Sequence, residues 1–449
     1  MTAAPNPTPD TAGPDREVHD LVGVGLGPFN LALAALADGV PGLSARFLEA
    51  RPGFSWHPGL LLDGARLQVP FLADLVTLID PTSRWSFLSY LRHHDRLFPF
   101  YFSENFHVPR REYDDYCRWV ATGLDSCRFD ARVGAVHHDD GVFTVEYEES
   151  SGVRRTVRGR ALVLGIGTEP VLPEALRELA GDRVFHAAEY LDRVRGLDGA
   201  RDLTVIGSGQ SGAEVFLDLL RSPAHADTRI NWLTRSPAFA PMEYSKLGLE
   251  HFTPDYTRYF HALPQPTRDR LVPAQWQLYK GISADTISDI HDALYERGVG
   301  GAPVDVSLRA HCELLRAREE DGRIALTFRH REQDRVFTTR TDGVVAASGY
   351  AQRRPDFLEP VLKLIETDDR GRFAIDADHR LRTDPALTAP IHVQNAELHT
   401  HGVGTPDLGL GAWRAATILN SLTGRTVYRL PERTAFTSFG APQTPGDGE

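Results

Sequence analysis

Apolar stretches alternate with glycine-rich turns and helix-like segments along most of the chain, which is typical of α/β proteins. In residues 20–36 an apolar strand runs into a turn with glycines at 23, 25 and 27, and Pro28 then opens a helix. Gly25 permits a sharp turn, and Gly27 lets the backbone approach a pyrophosphate that faces the free amides of the first helical turn. Proline suits this position because its missing N–H would have no partner within the helix. The pattern predicts a dinucleotide site.

Two further residues bear on this first motif. Asn30 stands where the usual pattern has its third glycine, which is a departure from the general fingerprint. The next apolar run ends in Glu49, 24 residues after Gly25 (49 minus 25). An acid about 20 residues beyond the turn is expected to bind the adenosine ribose. A purely structural glycine turn is the alternative interpretation.

A second strand, turn and helix begin at residue 203. The strand that follows this helix ends in Arg235 and Ser236 instead of an acid. A cation and a hydroxyl there suit a 2′-phosphate and favour NADPH over NADH, although a solvated surface arginine is the alternative. The turn itself is a complete G-x-G-x-x-G made of Gly207, Ser208, Gly209, Gln210, Ser211 and Gly212.

Two such units in one chain predict two dinucleotides and an α/β fold with two Rossmann-like dinucleotide-binding domains, the second inserted in the first. An irregular, aromatic stretch between residues 51 and 119 is expected to cover a ligand and to form a small substrate-binding region. The last helix emerges from a glycine-rich loop that contains Leu410, which is a second possible contact for a cofactor. The predicted boundaries are a disordered leader 1–19, a first dinucleotide-binding domain 20–200 and 341–430, a second one, for NADPH, 201–340, and a flexible tail 431–449.

Composition excludes several other classes of protein. The 449 residues carry a net charge of −12 without a basic block, which argues against nucleic acid as a partner. The N-terminus has no signal-peptide pattern, and no apolar run approaches the roughly 18 residues of a membrane span. The three cysteines form no C-x-x-C, so neither a metal site nor a redox dithiol is indicated. A cytoplasmic protein is expected.

Six short motifs occur in order along residues 20–425. They are the G-x-G-P-x-N of residues 25–30, Trp56-His57, Gln68, Asp74-Leu-Val76, Gly207-Ser-Gly-Gln-Ser-Gly212 and Ala347-Ser-Gly-Tyr350. Together they resemble a known family, the microbial N-hydroxylating flavin monooxygenases. These enzymes are the lysine, ornithine and diamine N-hydroxylases of siderophore biosynthesis.

The resemblance implies a reaction in which NADPH reduces FAD, O2 forms a C4a-hydroperoxyflavin, and a substrate amine attacks its distal oxygen. By similarity Gln68 is the catalytic contact at the flavin edge, Trp56 and His57 flank it, and the protein is a homo-oligomer, a dimer or tetramer. A dry pocket favours the neutral amine and protects the hydroperoxide from water. The candidate cofactor-binding residues are Gly25, Gly27, Pro28, Asn30, Glu49, Trp56, His57, Gln68, Gly207, Ser208, Gly209, Gln210, Ser211, Arg235, Ser348 and Leu410.

The substrate is where this chain departs from the amino-acid hydroxylases. Those enzymes read F-L-K-D-L-V, with the lysine on the substrate carboxylate, whereas this chain has Ala73. Asparagines that ornithine enzymes carry near the positions of Leu249 and Gly281 are also absent. Removing a buried cation from a carboxylate costs about 3–5 kcal/mol. We therefore expect a diamine, cadaverine or putrescine.

The distal ammonium of a diamine needs an acid or a carbonyl, and Glu243, Glu250 and Asp407 are the candidates. An L-lysine N6- or L-ornithine N5-monooxygenase is the alternative, in which Lys246 or Lys280 would bind the carboxylate. A two-dinucleotide disulfide reductase would need the C-x-x-C that is lacking. A non-catalytic nucleotide-binding protein is the remaining alternative.

Overall fold

The computed structural model describes residues 17–301 and 304–442. The strands are β1 Val18–His19, β2 Leu21–Val24, β3 Ala45–Leu48, β4 Cys127–Arg128, β5 Arg132–Asp139, β6 Val142–Glu148, β7 Arg154–Gly159, β8 Leu162–Leu164, β9 Glu169–Pro170, β10 Val184–His186, β11 Asp202–Ile206, β12 Arg229–Leu233, β13 Val306–Arg309, β14 Cys312–Glu320, β15 Arg323–His330, β16 Arg335–Thr341, β17 Gly343–Ala346, β18 Tyr350–Ala351 and β19 Ile391–Val393. The helices are α1 Pro28–Asp38, α2 Phe87–His93, α3 Leu97–Ser103, α4 Arg110–Gly123, α5 Glu174–Arg177, α6 Tyr190–Arg193, α7 Gln210–Arg221, α8 Pro254–Ala262, α9 Gln265–Ala274, α10 Trp276–Lys280, α11 Ala284–Arg297, α12 Leu398–His401 and α13 Gly411–Thr423.

The first unit is built on a parallel sheet with the strand order β19-β8-β2-β3-β4. Strand β2 is buried along its whole length, as parallel strands covered on both faces are. Helices α1 and α13 pack on this sheet and on each other, and their apolar residues share one core with α4. The carboxyl ends of β2, β3 and β8 therefore meet beside the start of α1.

The second unit is another parallel sheet, in the order β10-β17-β11-β12-β13. Strands β10 and β17 belong to it, whereas the predicted boundaries assigned residues 184–186 and 343–346 to the first domain. The crossings lie instead near β9 and β18, which pair with each other. The sequence misplaced them because a buried strand looks the same whichever sheet it joins.

Two further sheets lie beside the parallel ones: in the first, β5, β6 and β7 are antiparallel and β1 joins β7 in parallel, and the second is antiparallel throughout. One has the order β1-β7-β6-β5 and packs beneath the first unit, and the other has the order β14-β15-β16 and covers one face of the second sheet. Strand β1 lies within the predicted leader. It is an ordered strand of this sheet, in which Val18 pairs with Arg158 and His19 with Gly159. The leader prediction is therefore wrong at residues 18 and 19, and residues 1–16 lie outside the described ones.

The segment predicted as a flexible tail makes specific contacts in its described part. Asp255 accepts hydrogen bonds from the backbone N–H groups of Thr434 and Ala435, at 2.6 and 2.8 Å. Phe439 packs against Tyr256, with ring centroids 4.9 Å apart. The prediction of a flexible tail therefore needs correction in the described part, because a carboxylate of another segment binds its backbone. Residues 443–449 lie outside the described ones.

No helix in the described part of the chain is long and apolar enough to cross a membrane. Within the same residues, no group of three or more histidine, cysteine, aspartate or glutamate side chains is arranged to hold a metal ion.

Candidate active site

The first glycine turn lies against the turn that ends β8. Gly25 has a φ of +82°, and a Cβ on it would stand 2.5 Å from the carbonyl oxygen of Gly165. Beyond Gly27 no atom lies within 4 Å of where a side chain would begin. Helix α1 starts there with no side chain capping its first amides. An open cradle with free N–H groups at a helix N-terminus fits a pyrophosphate.

Asn30 occupies the position of the third glycine and holds the turn through hydrogen bonds of its side chain. It is fully buried, and its side-chain amide donates to the carbonyl oxygen of Gly25 at 2.7 Å. Its Oδ1 accepts from Gln394 Nε2, also at 2.7 Å. The asparagine therefore ties α1 to its own turn and to the segment after β19.

Glu49 lies at the end of β3, beside this turn. Its Oε2 accepts from the backbone N–H of Leu26 at 2.8 Å, and its Oε1 accepts from the N–H of Arg51 at 3.0 Å. Glu49 as a whole is 7% exposed. It is thus fixed at the edge of the cradle, where an adenosine ribose is expected.

The backbone of the second glycine turn is packed more closely against its neighbours than that of the first. Gly207 has a φ of +118°, and a Cβ on it would lie 2.1 Å from the carbonyl oxygen of Ala347. A Cβ on Gly212 would lie 2.3 Å from the Gly207 carbonyl oxygen. Trp232 Nε1 donates to that same oxygen at 2.7 Å. Helix α7 again begins without a side-chain cap, so its first amides are available to a phosphate.

The predicted residues around this turn occupy several different positions. Ser208 accepts from Thr234 Oγ1 at 2.9 Å, and Ser211 lies in the first turn of α7. Arg235 is exposed at the end of β12. Ser348 donates to the carbonyl oxygen of Val171 between the two crossing strands.

Gln68 meets the second unit through Gln210. Its Nε2 donates to Gln210 Oε1 at 3.1 Å, and its backbone carbonyl accepts from the Tyr244 hydroxyl at 3.1 Å. Gln210 in turn donates to Glu214 Oε1 at 2.9 Å. The glutamine singled out by the resemblance therefore lies where the two units touch.

An ion pair that sequence reasoning missed joins the units at the same place. The Arg110 guanidinium makes two hydrogen bonds to the Glu214 carboxylate, at 2.8 and 2.7 Å, and donates to the Leu60 carbonyl oxygen. The two charged side chains are only 11% and 6% exposed. They are 104 positions apart, so no spacing could have indicated the pair.

Trp56 and His57 lie in the first unit, near the strand β18 at which the chain crosses between the units. The Trp56 ring makes edge contacts with His57 and Tyr113, with centroids 4.9 and 5.2 Å away. The Trp56 N–H donates to Asp114 Oδ1. His57 faces Tyr350, the first residue of β18, at 5.8 Å between centroids. An aromatic wall therefore runs from one unit to the crossing strand.

Ala73 lies beside the loop that carries Asp407. A Cβ on Gly409 would lie 3.8 Å from the Cβ of Ala73, and Asp407 Oδ1 accepts from the Gly409 N–H at 2.8 Å. Burial raises the pKa of Asp407 to about 6, against the lowering effect of its hydrogen bond and of Arg414. Burial, and secondly the charge of Asp407, raise the pKa of Tyr244 to about 12. The acid is therefore near enough to influence the tyrosine that donates to Gln68.

Leu410 follows this acid in the same loop. It is 4% exposed, and its Cδ1 would lie 2.5 Å from a Cβ on Gly404. Helix α13 begins at the next residue, so Leu410 lies between the candidate acid and that helix.

The other substrate candidates lie in different surroundings. Glu243 is exposed and accepts from the Ser245 N–H at 2.6 Å. Glu250 accepts from backbone N–H groups of residues 436 and 437, and Leu249 is 37% exposed.

Neither lysine of the amino-acid alternative is buried. Lys246 is exposed. Lys280 ends α10, and its carbonyl oxygen would lie 3.7 Å from a Cβ on Gly209, at the second glycine turn. Lys280 is therefore beside the second dinucleotide cradle.

A family model for L-lysine 6-monooxygenase/L-ornithine 5-monooxygenase matches residues 17–352. The chain belongs to this family. The resemblance stated from the motifs is thereby confirmed, and this N-hydroxylating monooxygenase is an enzyme of the flavin- and NADPH-dependent kind.

Individual relatives of the monooxygenase are similar over nearly the whole chain. A putrescine N-hydroxylase of Shewanella oneidensis is 42% identical over 428 residues, 95% of this chain and 85% of the relative. The crystal structure of DfoA bound to FAD, the cadaverine monooxygenase of the desferrioxamine biosynthetic pathway of Erwinia amylovora, has a TM-score of 0.92 and 40% identity. It covers 96% of this chain and 100% of that one.

A second solved structure contains both dinucleotides. The ornithine N-hydroxylase KtzI of Kutzneria sp. 744, with reduced FAD, NADP+ and L-ornithine, has a TM-score of 0.85 and 29% identity, and covers 91% of this chain and 99% of that one. The predicted fold class of two dinucleotide-binding domains is confirmed. The uncapped helix N-termini behind both glycine turns fit FAD and NADPH.

Proposed function

We propose that this monooxygenase hydroxylates one terminal amino group of an aliphatic diamine, cadaverine or putrescine, with FAD, NADPH and O2, early in hydroxamate siderophore biosynthesis. The observation that carries the proposal is the small Ala73 beside a carboxylate, Asp407, on the adjoining loop. A carboxylate suits an ammonium group, whereas it would repel the acidic head of lysine or ornithine. The similarity to putrescine and cadaverine hydroxylases supports the same substrate class.

In this proposal Asp407 binds the distal ammonium and thereby directs the other amino group toward the flavin. When bound, reduced FAD would supply the two electrons that activate O2, from which one oxygen atom goes to the amine and the other leaves as water. Trp56 and Tyr113 exclude water from the reacting amine, which favours its neutral, nucleophilic form. Gln68 contacts the flavin edge from the junction of the two units, and Glu49 and Arg235 bind the ribose of FAD and the 2′-phosphate of NADPH.

A substrate panel tests the substrate class. Hydroxylamine formed per NADPH oxidised is measured with cadaverine, putrescine, L-lysine and L-ornithine. We expect coupled product with the diamines and little with the amino acids. Faster turnover with lysine or ornithine than with either diamine would replace the proposal by the amino-acid alternative.

The variant Asp407→Asn tests the role of the acid. Because the pKa of Asp407 is about 6, its carboxyl gains a proton and loses its charge as the pH falls through that value. The KM for the diamine should therefore rise below about pH 6 in the native enzyme and be high at every pH in the variant. An unchanged KM in the variant would contradict the assignment. Glu243→Gln, on an exposed acid, is the matched control.

We further propose a cytoplasmic homo-oligomer, a dimer or tetramer. The support is an aromatic patch on and after α3, where Phe98, Tyr101, Phe102 and Phe106 are 77%, 72%, 74% and 61% exposed. Patches of this kind mark interaction surfaces. Light scattering of the native chain and of Phe98→Glu/Phe102→Glu tests this, since a monomer in both would contradict the proposal. The free thiols of Cys117, Cys127 and Cys312 fit a reducing compartment.

A further inference from the structure

A buried ion pair lies behind the loop that carries Asp407. Arg414 Nε is 3.0 Å from Glu397 Oε1, and the two side chains are 2% and 0% exposed. His379 also approaches Glu397, at 3.5 Å. Burial and then Arg414 lower the pKa of His379 well below its usual value, so this histidine is neutral. Arg414 therefore balances the charge of Glu397.

The same guanidinium fixes two other parts of the site. Arg414 Nη2 donates to the carbonyl oxygen of Thr405 at 2.7 Å, two residues before Asp407. Its Cζ lies 4.7 Å from the ring centroid of Phe29, in the first turn of α1. One side chain thus contacts both the start of the first dinucleotide cradle and the loop of the candidate acid.

We infer that Arg414 is a positioning residue that fixes the distance between the flavin cradle and Asp407, and so helps to select the length of the diamine. The inference rests on the proposed function. Glu397 orients Arg414, Arg414 orients the Thr405 carbonyl, and the loop from 405 to 407 carries the acid. A planar guanidinium is needed because one group must reach the carboxylate, the carbonyl and the ring together, which the point charge of a lysine does not do.

Arg414→Lys tests the inference because it keeps a positive charge beside Glu397. The values of kcat and KM for putrescine and cadaverine are measured, together with FAD content and the anaerobic rate of flavin reduction by NADPH. We expect KM to rise about tenfold for both diamines and the ratio of the two kcat/KM values to move toward one. Bound FAD and the rate of flavin reduction should be retained, which a general structural defect would not allow.

Glu397→Gln is the second variant and is used if Arg414→Lys does not fold. Its amide keeps the shape of the carboxylate and removes only the charge. Added to Asp407→Asn, it should raise KM no further, because both changes act on the same ammonium contact. Arg323→Lys, which alters an arginine paired with Asp342 at 2.9 Å in the second unit, is the control with unchanged KM.

The outcomes separate the two proposals. A native enzyme that hydroxylates no diamine removes the proposed function and this inference with it. A native enzyme active on diamines, with folded variants that keep the native KM and the native ratio of the two diamines, overturns the inference alone. An additive effect of Glu397→Gln and Asp407→Asn would also overturn it.

Discussion

The first glycine of each turn has a positive φ and lies against the backbone of a neighbouring turn, Gly165 in the first unit and Ala347 in the second. The two turns differ at the third position of the motif. There Gly212 lets the second helix approach its own turn, whereas Asn30 fills the space and binds the turn through its amide. Close packing and a side-chain hydrogen bond are thus two ways to hold a helix N-terminus beside a phosphate.

The largest loss of cofactor function is expected when the first glycine of either turn is replaced by alanine. We expect Gly25→Ala to purify without flavin, and Gly207→Ala to keep flavin that NADPH no longer reduces. Both changes combine positive φ with contacts of 2.5 and 2.1 Å to backbone oxygens. Flavin absorbance and anaerobic reduction measure the two effects. Gly371→Ala is the control, since φ there is +73° with no atom within 4 Å, and it should keep both functions.

The link between the two units should be the next most sensitive feature. Arg110→Met leaves the Glu214 carboxylate buried without its cation, which should lower the free energy of unfolding by about 3–5 kcal/mol. Chemical denaturation measures this. Arg111→Met is a neighbouring control, because its pair with Asp63 is exposed and should contribute no more than about 1 kcal/mol. Equal effects of the two variants would contradict the importance of the buried pair.

Asn30→Gly restores the usual glycine to the first turn, so that both turns then have glycine at the third position of the motif. The partly buried carbonyl oxygen of Gly25 then loses its donor, so we expect a loss of about 1–3 kcal/mol in unfolding free energy and weaker retention of FAD. Thermal unfolding with and without added FAD measures both. A more stable variant would show that the amide is not needed.

The smallest effect is expected at Arg235, which is exposed at the end of β12. Arg235→Ala should weaken NADPH by about 1 kcal/mol, or roughly fivefold, and leave NADH unchanged. Steady-state KM values for the two coenzymes provide the measurement. Equal losses for both coenzymes would show that Arg235 does not bind the 2′-phosphate.

The sequence by itself determined the parts of the protein whose chemistry is local. A strand, a glycine turn and a helix N-terminus lie within about ten residues of each other, so both cradles could be predicted from short patterns. Glu49 could be proposed for the ribose because the acid follows the turn at a characteristic spacing, and Ala73 for the substrate site because the family motif there is contiguous. Family membership followed from the same motifs.

Tertiary structure alone decided which distant segments meet. Buried strands carry no mark of the sheet they join, so β10 and β17 were assigned to the wrong unit. Arg110 and Glu214 are 104 positions apart, and Gln68 and Gln210 are 142 apart. Such contacts have no periodicity in the chain, because they depend on how two sheets are placed and not on how either one forms.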